Sequence, residues 1–222
     1  AAAKNTKHGV CEACAKAKAT RHSFERAKKD STEASSAARA PLRPIRKDVP
    51  RVDTDLKGPI SVAGPKGELY MQLFTEVDSK YRYCKLLQRK SDALAAVREY
   101  ITVDLASEGQ KVLEYHSDSA PELISREVVA LLAESGCRVS YSPAYTPELN
   151  GVAERSNRTI WESAYAMWLA TCLPAMMWVY AVMYATVCAN MLPTNTASGW
   201  MSPFQAKYGV VPVVSVFHVF GC

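Results

Sequence analysis

Apolar and polar positions alternate from Val49 onward in a way that predicts strands. Five strand-like runs follow one another: VPRVDTDLKGPI, ELYMQLFTEVD, YRYCKLLQ, KVLEYHSD and RVSYS. The second and third are separated only by residues 78–80, which predicts a hairpin. The chain therefore begins its folded part with antiparallel strands.

Apolar residues recur at helical spacing in the segments between and after the later strands. Three helices are predicted: SDALAAVREYITVDLASEG, PELISREVVALLAESG and VAERSNRTIWESAYAMWLATCL. Ser91 is the candidate N-cap of the first helix, and Gly109 and Gly136 end the first and second. SPAYTPELNG, before the third, reads as a loop because of its two prolines and Gly151. Antiparallel strands followed by helix and strand alternation predict an α/β fold with a mixed sheet.

The N-terminal region has a different composition. Residues 1–30 carry CxxC in a Lys/Ala-rich, helix-prone setting, and residues 31–48 have the Ser, Ala, Pro and Arg content of a linker. Residues 1–51 hold 13 Lys/Arg against 5 Asp/Glu, whereas the whole chain has a formal net charge of +5. A basic arm fits a protein that holds a polyanion, and a solvated lead-in is the alternative.

The stretch from Trp168 to Met191 contains no Lys, Arg, Asp or Glu. A membrane span is one interpretation, but Pro174 interrupts the stretch and favours a buried helix. The seven cysteines are an odd number without a framework spacing, and most fall in apolar stretches. They are therefore predicted to be reduced core residues of an intracellular protein.

Three carboxylates stand at positions where chemistry is expected. Asp55 and Asp118 sit at the ends of strand-like runs, and Glu154 lies one turn into a predicted helix. That placement could bring all three to one rim of a sheet. Oxygen ligands of this kind bind Mg²⁺ or Mn²⁺, and a pair of such ions cuts and joins phosphodiesters. The plain alternative is that each acid is a helix cap or a solvated charge.

The residues around these acids resemble copia-type retrotransposon integrases, members of the retroviral integrase superfamily. SPAYTPELNGVAERSNRTIWESA is similar to the signature around the family's last acid, and TDLKGPI and YHSD resemble the contexts of its first two. CEACAKAKATRHSF resembles the tail of its zinc-binding module, and MSPFQAKYGVVPVVSVFHVFGC the segment after its core. The resemblance implies a ribonuclease-H-like, mixed five-stranded sheet flanked by helices, with a basic N-terminal extension.

The resemblance also divides the chain and implies its activity. By this resemblance, residues 1–30 would be the end of a zinc-binding module, 31–48 a linker, 49–192 the catalytic core and 193–222 a truncated post-core segment. The implied activity is DNA 3′-end processing and strand transfer by two-metal chemistry. Asp55 would bridge both ions, Asp118 and Glu154 would complete one site each, and water or a DNA 3′-hydroxyl would attack. The implied partners are DNA and further copies of the chain, in the nucleus and not at a membrane.

Four residues near Glu154 are candidates for contact with DNA. Arg158 lies four residues after Glu154, so both face the same side of a helix, and its guanidinium could pair with phosphate. The alternative is an intrahelical ion pair with Glu154. The other candidates are Asn150, Arg155 and Tyr145; of these, Tyr145 could stack on a base or pack against the core. For Asn157, the expected role is only a local hydrogen bond.

Histidine and cysteine residues suggest two further sites. Cys11 and Cys14 have the spacing of a zinc knuckle, but Zn²⁺ requires four ligands. The resemblance implies that the family's two histidine ligands lie upstream of the cysteines, beyond the start of this sequence, so zinc binding is expected only with those missing ligands. Within this sequence His8 is the best makeshift third ligand. His116 precedes Asp118 by two residues and would point to the same face of a strand, where it could act as a general base.

Two departures from the family pattern favour a second hypothesis. Residues 119–121 read Ser-Ala-Pro where the family has Asn-Gly or Gly-Gly, and the chain ends at FGC, before the family's C-terminal DNA-binding portion. The alternative function is therefore a catalytically decayed remnant that only binds nucleic acid. A ribonuclease H or a transposase would share the acids, but the SPAYTPELNGVAER string favours an integrase.

Overall fold

The computed structural model describes residues 11–19, 50–106, 109, 111–142, 151–215 and 217–221. The predicted loop SPAYTPELNG lies largely outside these residues, and the whole predicted linker and His8 lie outside them.

A mixed five-stranded sheet forms the centre of the molecule and confirms the predicted fold class. Its strands are β1 (Arg51–Lys57), β2 (Tyr70–Glu76), β3 (Arg82–Leu87), β4 (Glu114–Ser117) and β5 (Arg138–Tyr141). They lie in the order β3-β2-β1-β4-β5. The β1–β2 and β2–β3 pairs are antiparallel, and the β1–β4 and β4–β5 pairs are parallel. The predicted hairpin is the β2–β3 pair.

Six helices and a small second hairpin complete the described part of the chain. The helices are α1 (Glu12–Ala17), α2 (Ala93–Glu99), α3 (Arg126–Glu134), α4 (Gly151–Thr171), α5 (Trp178–Met191) and α6 (Pro203–Tyr208). The hairpin joins β6 (Thr194–Thr196) and β7 (Gly199–Met201). Helix α1 lies against α4.

The two faces of the sheet bury separate hydrophobic clusters. One contains Val52, Phe74 and Tyr115, packed with α2 and α3. The other contains Met71 and Leu73, packed with α4 and α5. Each fully buried large side chain contributes about 1.5–3 kcal/mol. Because strand side chains alternate between faces, the partners of Leu73 and Met71 in β1 point toward α4; these partners are Asp55 and Lys57.

The first predicted helix differs from expectation at its start and in its second half. Ser91 does not cap it but lies within a short 3-10 turn at 90–92, and α2 begins at Ala93. The carboxylate of Asp92 accepts the backbone N–H of Arg89 at 2.9 Å, which stabilises this 3-10 turn, and α2 begins without a side-chain cap hydrogen bond. After Glu99 the chain continues as a π-helical segment, 100–105.

The apolar stretch from Trp168 to Met191 is divided at Pro174, as predicted. Helix α4 ends at Thr171, a 3-10 turn follows at 175–177, and α5 begins at Trp178. Only one face of α5 is buried; on the other, Tyr180 and Met183 are about half exposed. The prediction of a buried helix therefore holds for one face of α5 and not for the other. Within the described ranges, no helix is both long and apolar enough to span a bilayer.

The six described cysteines are all free thiols, but the prediction that most are core residues is wrong. Only Cys137 is buried, and Cys11 and Cys172 are exposed. Cys172 follows the last turn of α4 with a positive φ of 52°, at a turn that faces solvent. Burial raises the pKa of the Cys137 thiol to about 12, so this thiol stays protonated at neutral pH.

A buried lysine holds helix α6 to the β2–β3 hairpin, and no local sequence pattern predicts this contact. The side chain of Lys207 is 1% exposed and forms an ion pair with Glu76. Its ammonium also lies 4.9–5.7 Å from the ring centres of Tyr81, Tyr83 and Tyr208. Helix α6, in the segment after residue 192, is therefore packed against the main sheet.

Candidate active site

Asp55 and Asp118 lie at the carboxyl ends of neighbouring parallel strands. In the β1–β4 pairing Asp53 is opposite His116. Asp55 and Asp118 each follow by two residues, so they stand at the same edge of the sheet. Parallel strands that end side by side deliver their following side chains to one rim, where ligands bind in open α/β sheets. The predicted proximity of the first two acids has its basis in this register.

Two aspartates of β1 face the same side but have different surroundings. Asp53 is fully buried, and Arg51 donates two hydrogen bonds to its two carboxylate oxygens. Asp55 is only partly buried, and among the described residues no cation lies within ion-pair distance of it. Asp53 is thus a paired structural acid, and Asp55 is the one that lies at the rim.

Hydrogen bonds fix the carboxylate of Asp55. Its Oδ1 accepts the N–H of Leu56 at 2.8 Å, and its Oδ2 accepts the side-chain amide of Asn157 at 2.7 Å. Asn157 is buried on α4. These two bonds orient the carboxylate without neutralising it.

Asp118 is positioned by the turn that follows β4. Its Oδ1 accepts the backbone N–H of Ala120 at 3.1 Å, and the Ser117 hydroxyl donates to its backbone carbonyl at 2.9 Å. The unusual Ser119-Ala120-Pro121 sequence thus still supplies a backbone donor to the acid.

Glu154 lies in the first turn of α4 and is exposed. Asn157, three residues later on the same face, contacts Asp55 directly. This contact between α4 and β1 brings the third acid to the side of the sheet on which the first two lie.

The three acids interact electrostatically. The pKa of Asp55 is raised, first because burial disfavours its charged form. The negative charges of Asp118 and Glu154 raise it further, while the hydrogen bond from Asn157 lowers it. The rim is therefore a concentration of negative charge that would attract cations.

The donor atoms at the rim are all carboxylate oxygens, the ligand type of Mg²⁺ and Mn²⁺. Within the ranges that the structure describes, however, no three His, Cys, Asp or Glu side chains come close enough together to hold a metal ion. The donor set fits a divalent cation in its chemistry. The three-ligand site itself stays a prediction.

Asn157 is the site residue whose role the sequence reasoning underestimated. Local hydrogen bonding was the expectation, but its amide reaches across 102 positions of sequence to Asp55. Its spacing of three from Glu154 was the available signal, since residues at i and i+3 share a helix face.

The structure describes two of the four residues that are candidates for contact with DNA. Arg158 is exposed, and the structure shows no ion pair between it and Glu154, although both are described. Its guanidinium is thus available to another partner. Arg155 is also exposed, with its guanidinium lying over Gly151. Tyr145 and Asn150 lie outside the described residues.

His116 is buried, 2% exposed, and both of its ring nitrogens are engaged. Nδ1 lies 2.8 Å from the Ser140 hydroxyl and Nε2 lies 3.0 Å from the Ser142 hydroxyl. These bonds tie β4 to β5, so the ring stabilises the sheet and is poorly placed to act as a general base.

Cys11 and Cys14 stand close together at the start of α1. Hydrogen bonds from Cys14 lower the pKa of the Cys11 thiol, whereas the interaction with Cys11 raises that of Cys14. Among the residues described, no third ligand joins them. Zinc binding stays a prediction, since His8 lies outside the described ranges.

Sequence comparison connects this architecture to mobile elements. The chain is 28% identical over 171 residues to the retrovirus-related Pol polyprotein from transposon TNT 1-94 of Nicotiana tabacum, covering 77% of this chain. It is 29% identical over 157 residues to the corresponding polyprotein from transposon RE1 of Arabidopsis thaliana, covering 69% of this chain. The chain is related to retrotransposon Pol polyproteins. It spans only 13% and 10% of these two relatives. No protein-family model matches the chain.

Solved structures that share this fold include an integrase catalytic core domain and a chain of an intasome. The HTLV-2 integrase catalytic core domain in complex with magnesium superposes with a TM-score of 0.55 at 16% identity, over 73% of this chain and all of that one. A chain of the simian T-cell lymphotropic virus intasome in complex with PP2A regulatory subunit B56 gamma gives 0.59 at 16% identity, over 81% of this chain and 64% of that one. The retrotransposon-related chain thus has the fold of an integrase catalytic core.

Proposed function

We propose that residues 49–192 are the catalytic core of an integrase that processes DNA 3′ ends and joins them to target DNA. The observation that carries the proposal is the register of β1 with β4, which brings Asp55 and Asp118 to one edge of the sheet. The contact of Asn157 with Asp55 adds Glu154 to that edge. The relationship to retrotransposon Pol polyproteins and the fold of integrase cores support it.

Asp55, Asp118 and Glu154 would hold Mg²⁺ or Mn²⁺. Bound there, two such ions supply an activated oxygen nucleophile and stabilise the departing alkoxide. The chain's own contribution is to fix the ligands. Asn157 and the N–H of Leu56 orient Asp55, and the N–H of Ala120 orients Asp118.

Exposed guanidinium groups on α4 would hold the DNA strand. Arg158 lies one turn beyond Glu154 and is not paired with it, so it can contact a phosphate close to the reacting one. Arg155 would add a second phosphate contact. We also propose that the active form is a homo-oligomer acting on chromosomal DNA in the nucleus, as the resemblance to integrases implies.

A second candidate function is binding of nucleic acid without catalysis. The observation that favours it is that, in the described part of the chain, the three acids do not gather tightly enough to form a metal site. A protein of this kind would bind DNA through its arginines but leave phosphodiester bonds unchanged.

A disintegration assay on a branched DNA substrate distinguishes the two functions. The reaction is run with Mg²⁺, with Mn²⁺ and with EDTA, for wild type, Glu154→Gln and Glu162→Gln. Glu162 lies on the same helix and undergoes the same charge change, which makes it the matched control. Metal-dependent joining that only Glu154→Gln abolishes supports the integrase. Folded wild-type protein that binds the substrate without joining it supports the non-catalytic function.

A further inference from the structure

Lys57 is a cationic side chain close to the carboxylate rim, on the strand that carries Asp55. Lys57 follows Asp55 by two residues in β1, so both side chains project toward α4. Its ammonium lies 5.2 Å from the ring centre of Trp161. Two adjacent side chains of one strand thus contact one helix: Asp55 through Asn157, and Lys57 through Trp161.

The contacts run along one face of α4. Glu154, Asn157, Arg158 and Trp161 are spaced by three or four residues, which places them on consecutive turns of the same side. Seven residues of α-helix span about 10 Å, so Lys57 and Trp161 lie about that distance along the helix from Glu154. Glu154 stands at one end of this row, Arg158 in its middle, and Lys57 lies over Trp161 at its far end.

Lys57 has no direct ion-pair partner among the described residues. No carboxylate of the described residues lies within 4.0 Å of its ammonium, in contrast to Lys85 and Lys207, which have ion pairs. The side chain is partly buried, so its alkyl stem is held in place. The Trp161 ring orients the ammonium by a cation–π interaction of about 0.5–1 kcal/mol, but it does not neutralise it.

We propose that Lys57, oriented by Trp161, binds a backbone phosphate of the DNA strand that enters the Asp55–Asp118–Glu154 rim. An ammonium held at a fixed distance from the reacting phosphate sets the register of the strand without reading its sequence. Trp161 is a positioning residue, because it acts through Lys57. This assignment depends on the function proposed above and names a specific contact within it.

Salt-dependent binding to duplex DNA tests the assignment. Equilibrium binding to a fluorescent duplex is measured from low to moderate salt for wild type, Lys57→Met, Lys57→Arg and Lys66→Met. Lys57→Met retains an apolar chain over Trp161 but removes the charge. Lys66, exposed in the turn before β2, is the matched control.

Loss of one phosphate contact reduces the slope of log K against log salt by about 0.7–0.9. We expect this reduction in Lys57→Met, and wild-type slopes in Lys57→Arg and Lys66→Met. An unchanged slope in Lys57→Met would overturn the assignment, and so would an equal reduction in Lys66→Met.

The role of Trp161 has its own readout. Trp161→Phe keeps an aromatic ring beneath the ammonium and should keep the wild-type affinity, whereas Trp161→Leu should weaken binding in the Lys57 protein. In a Lys57→Met background Trp161→Leu should have no further effect on binding. Equal weakening in both backgrounds would show that Trp161 does not act through Lys57.

The disintegration assay keeps this assignment separate from the proposed function. Joining that depends on Glu154, together with an unchanged slope in Lys57→Met, leaves the integrase proposal intact and removes Lys57. A reduced slope without any joining supports the Lys57 contact in a non-catalytic DNA-binding protein.

Discussion

Two charged clusters on this molecule are built in opposite ways. At the rim, Asp55, Asp118 and Glu154 repel one another, and the pKa of Asp55 is raised by burial and by its two acidic neighbours. Around Lys207, a buried ammonium is matched by Glu76 and three tyrosine rings. Among the described residues the acids of the first cluster form no ion pair, whereas the second cluster encloses one.

The difference shows how charge can serve stability in one place and binding in another. A matched, enclosed charge holds α6 against the β2–β3 hairpin, and removing either partner leaves the other uncompensated. Unmatched acids at the end of the sheet cost stability, and they can be stabilised by a ligand of opposite charge.

The enclosed lysine should be the most sensitive position for stability. Replacing it in Lys207→Met leaves Glu76 without its cation, and we expect the free energy of unfolding to fall by about 3–5 kcal/mol. Urea denaturation followed by circular dichroism measures it. Lys66→Met, at an exposed lysine, should change stability by less than about 0.5 kcal/mol. A loss of under 1 kcal/mol in Lys207→Met would remove the distinction between the two clusters.

The unmatched acids should instead matter for activity. In Asp118→Asn the side-chain oxygen can still accept the Ala120 N–H, so the fold should be retained. Metal-dependent joining should fall by about 100-fold or more, since an ionic ligand is lost from the site where charge develops. Single-turnover disintegration rates and a circular dichroism spectrum provide the check. Wild-type rates in the mutant would exclude Asp118 from the reaction.

Asn157 should affect activity through the orientation of Asp55. Asn157→Ala removes the 2.7 Å hydrogen bond to Asp55 and should lower the joining rate by about 10- to 100-fold, as loss of a residue supporting a metal ligand does. The rate should recover partly at higher Mn²⁺ concentration if the defect lies in cation binding. Ser156→Ala, at the adjacent buried position of α4, is the control. Equal defects in both variants would indicate a packing effect instead.

Arg158 should have the smallest effect, confined to DNA binding. Arg158→Ala should reduce the salt slope of duplex binding by about 0.9 and weaken affinity at low salt, because one phosphate contact is lost. Arg98→Ala, at an exposed arginine of α2 on the other side of the sheet, should have the wild-type slope. If Arg158→Ala retains the full slope, its guanidinium does not contact phosphate.

The fold was predictable from sequence to the extent that it depends on local pattern. Strand alternation located all five strands of the main sheet, and Pro174 and Gly136 marked real boundaries. The N-cap predicted at Ser91 is absent, because residues 90–92 form a 3-10 turn closed by the hydrogen bond from Arg89 to Asp92, and α2 begins only at Ala93. The π-helical segment after α2 was not foreseen, because periodicity does not distinguish it from a continuing α-helix.

The candidate site was predictable only in part. The positions of Asp55 and Asp118 at strand ends could be read from the sequence, but their register across β1 and β4 required the structure. The link from Asn157 to Asp55 and the lysine–tyrosine cluster join residues more than 100 positions apart. No local pattern records such contacts, since they depend on how α4 and α6 pack on the sheet.

The most direct test of the contrast is the unfolding free energy of wild type and Asp118→Asn, each measured with Mn²⁺ and with EDTA. In EDTA the mutant should be more stable than wild type by about 0.2–1 kcal/mol, because one repulsive charge is gone. Mn²⁺ should stabilise wild type by more than it stabilises the mutant. If Mn²⁺ leaves wild-type stability unchanged, or stabilises both proteins equally, the three acids do not form a cation site and the account is wrong.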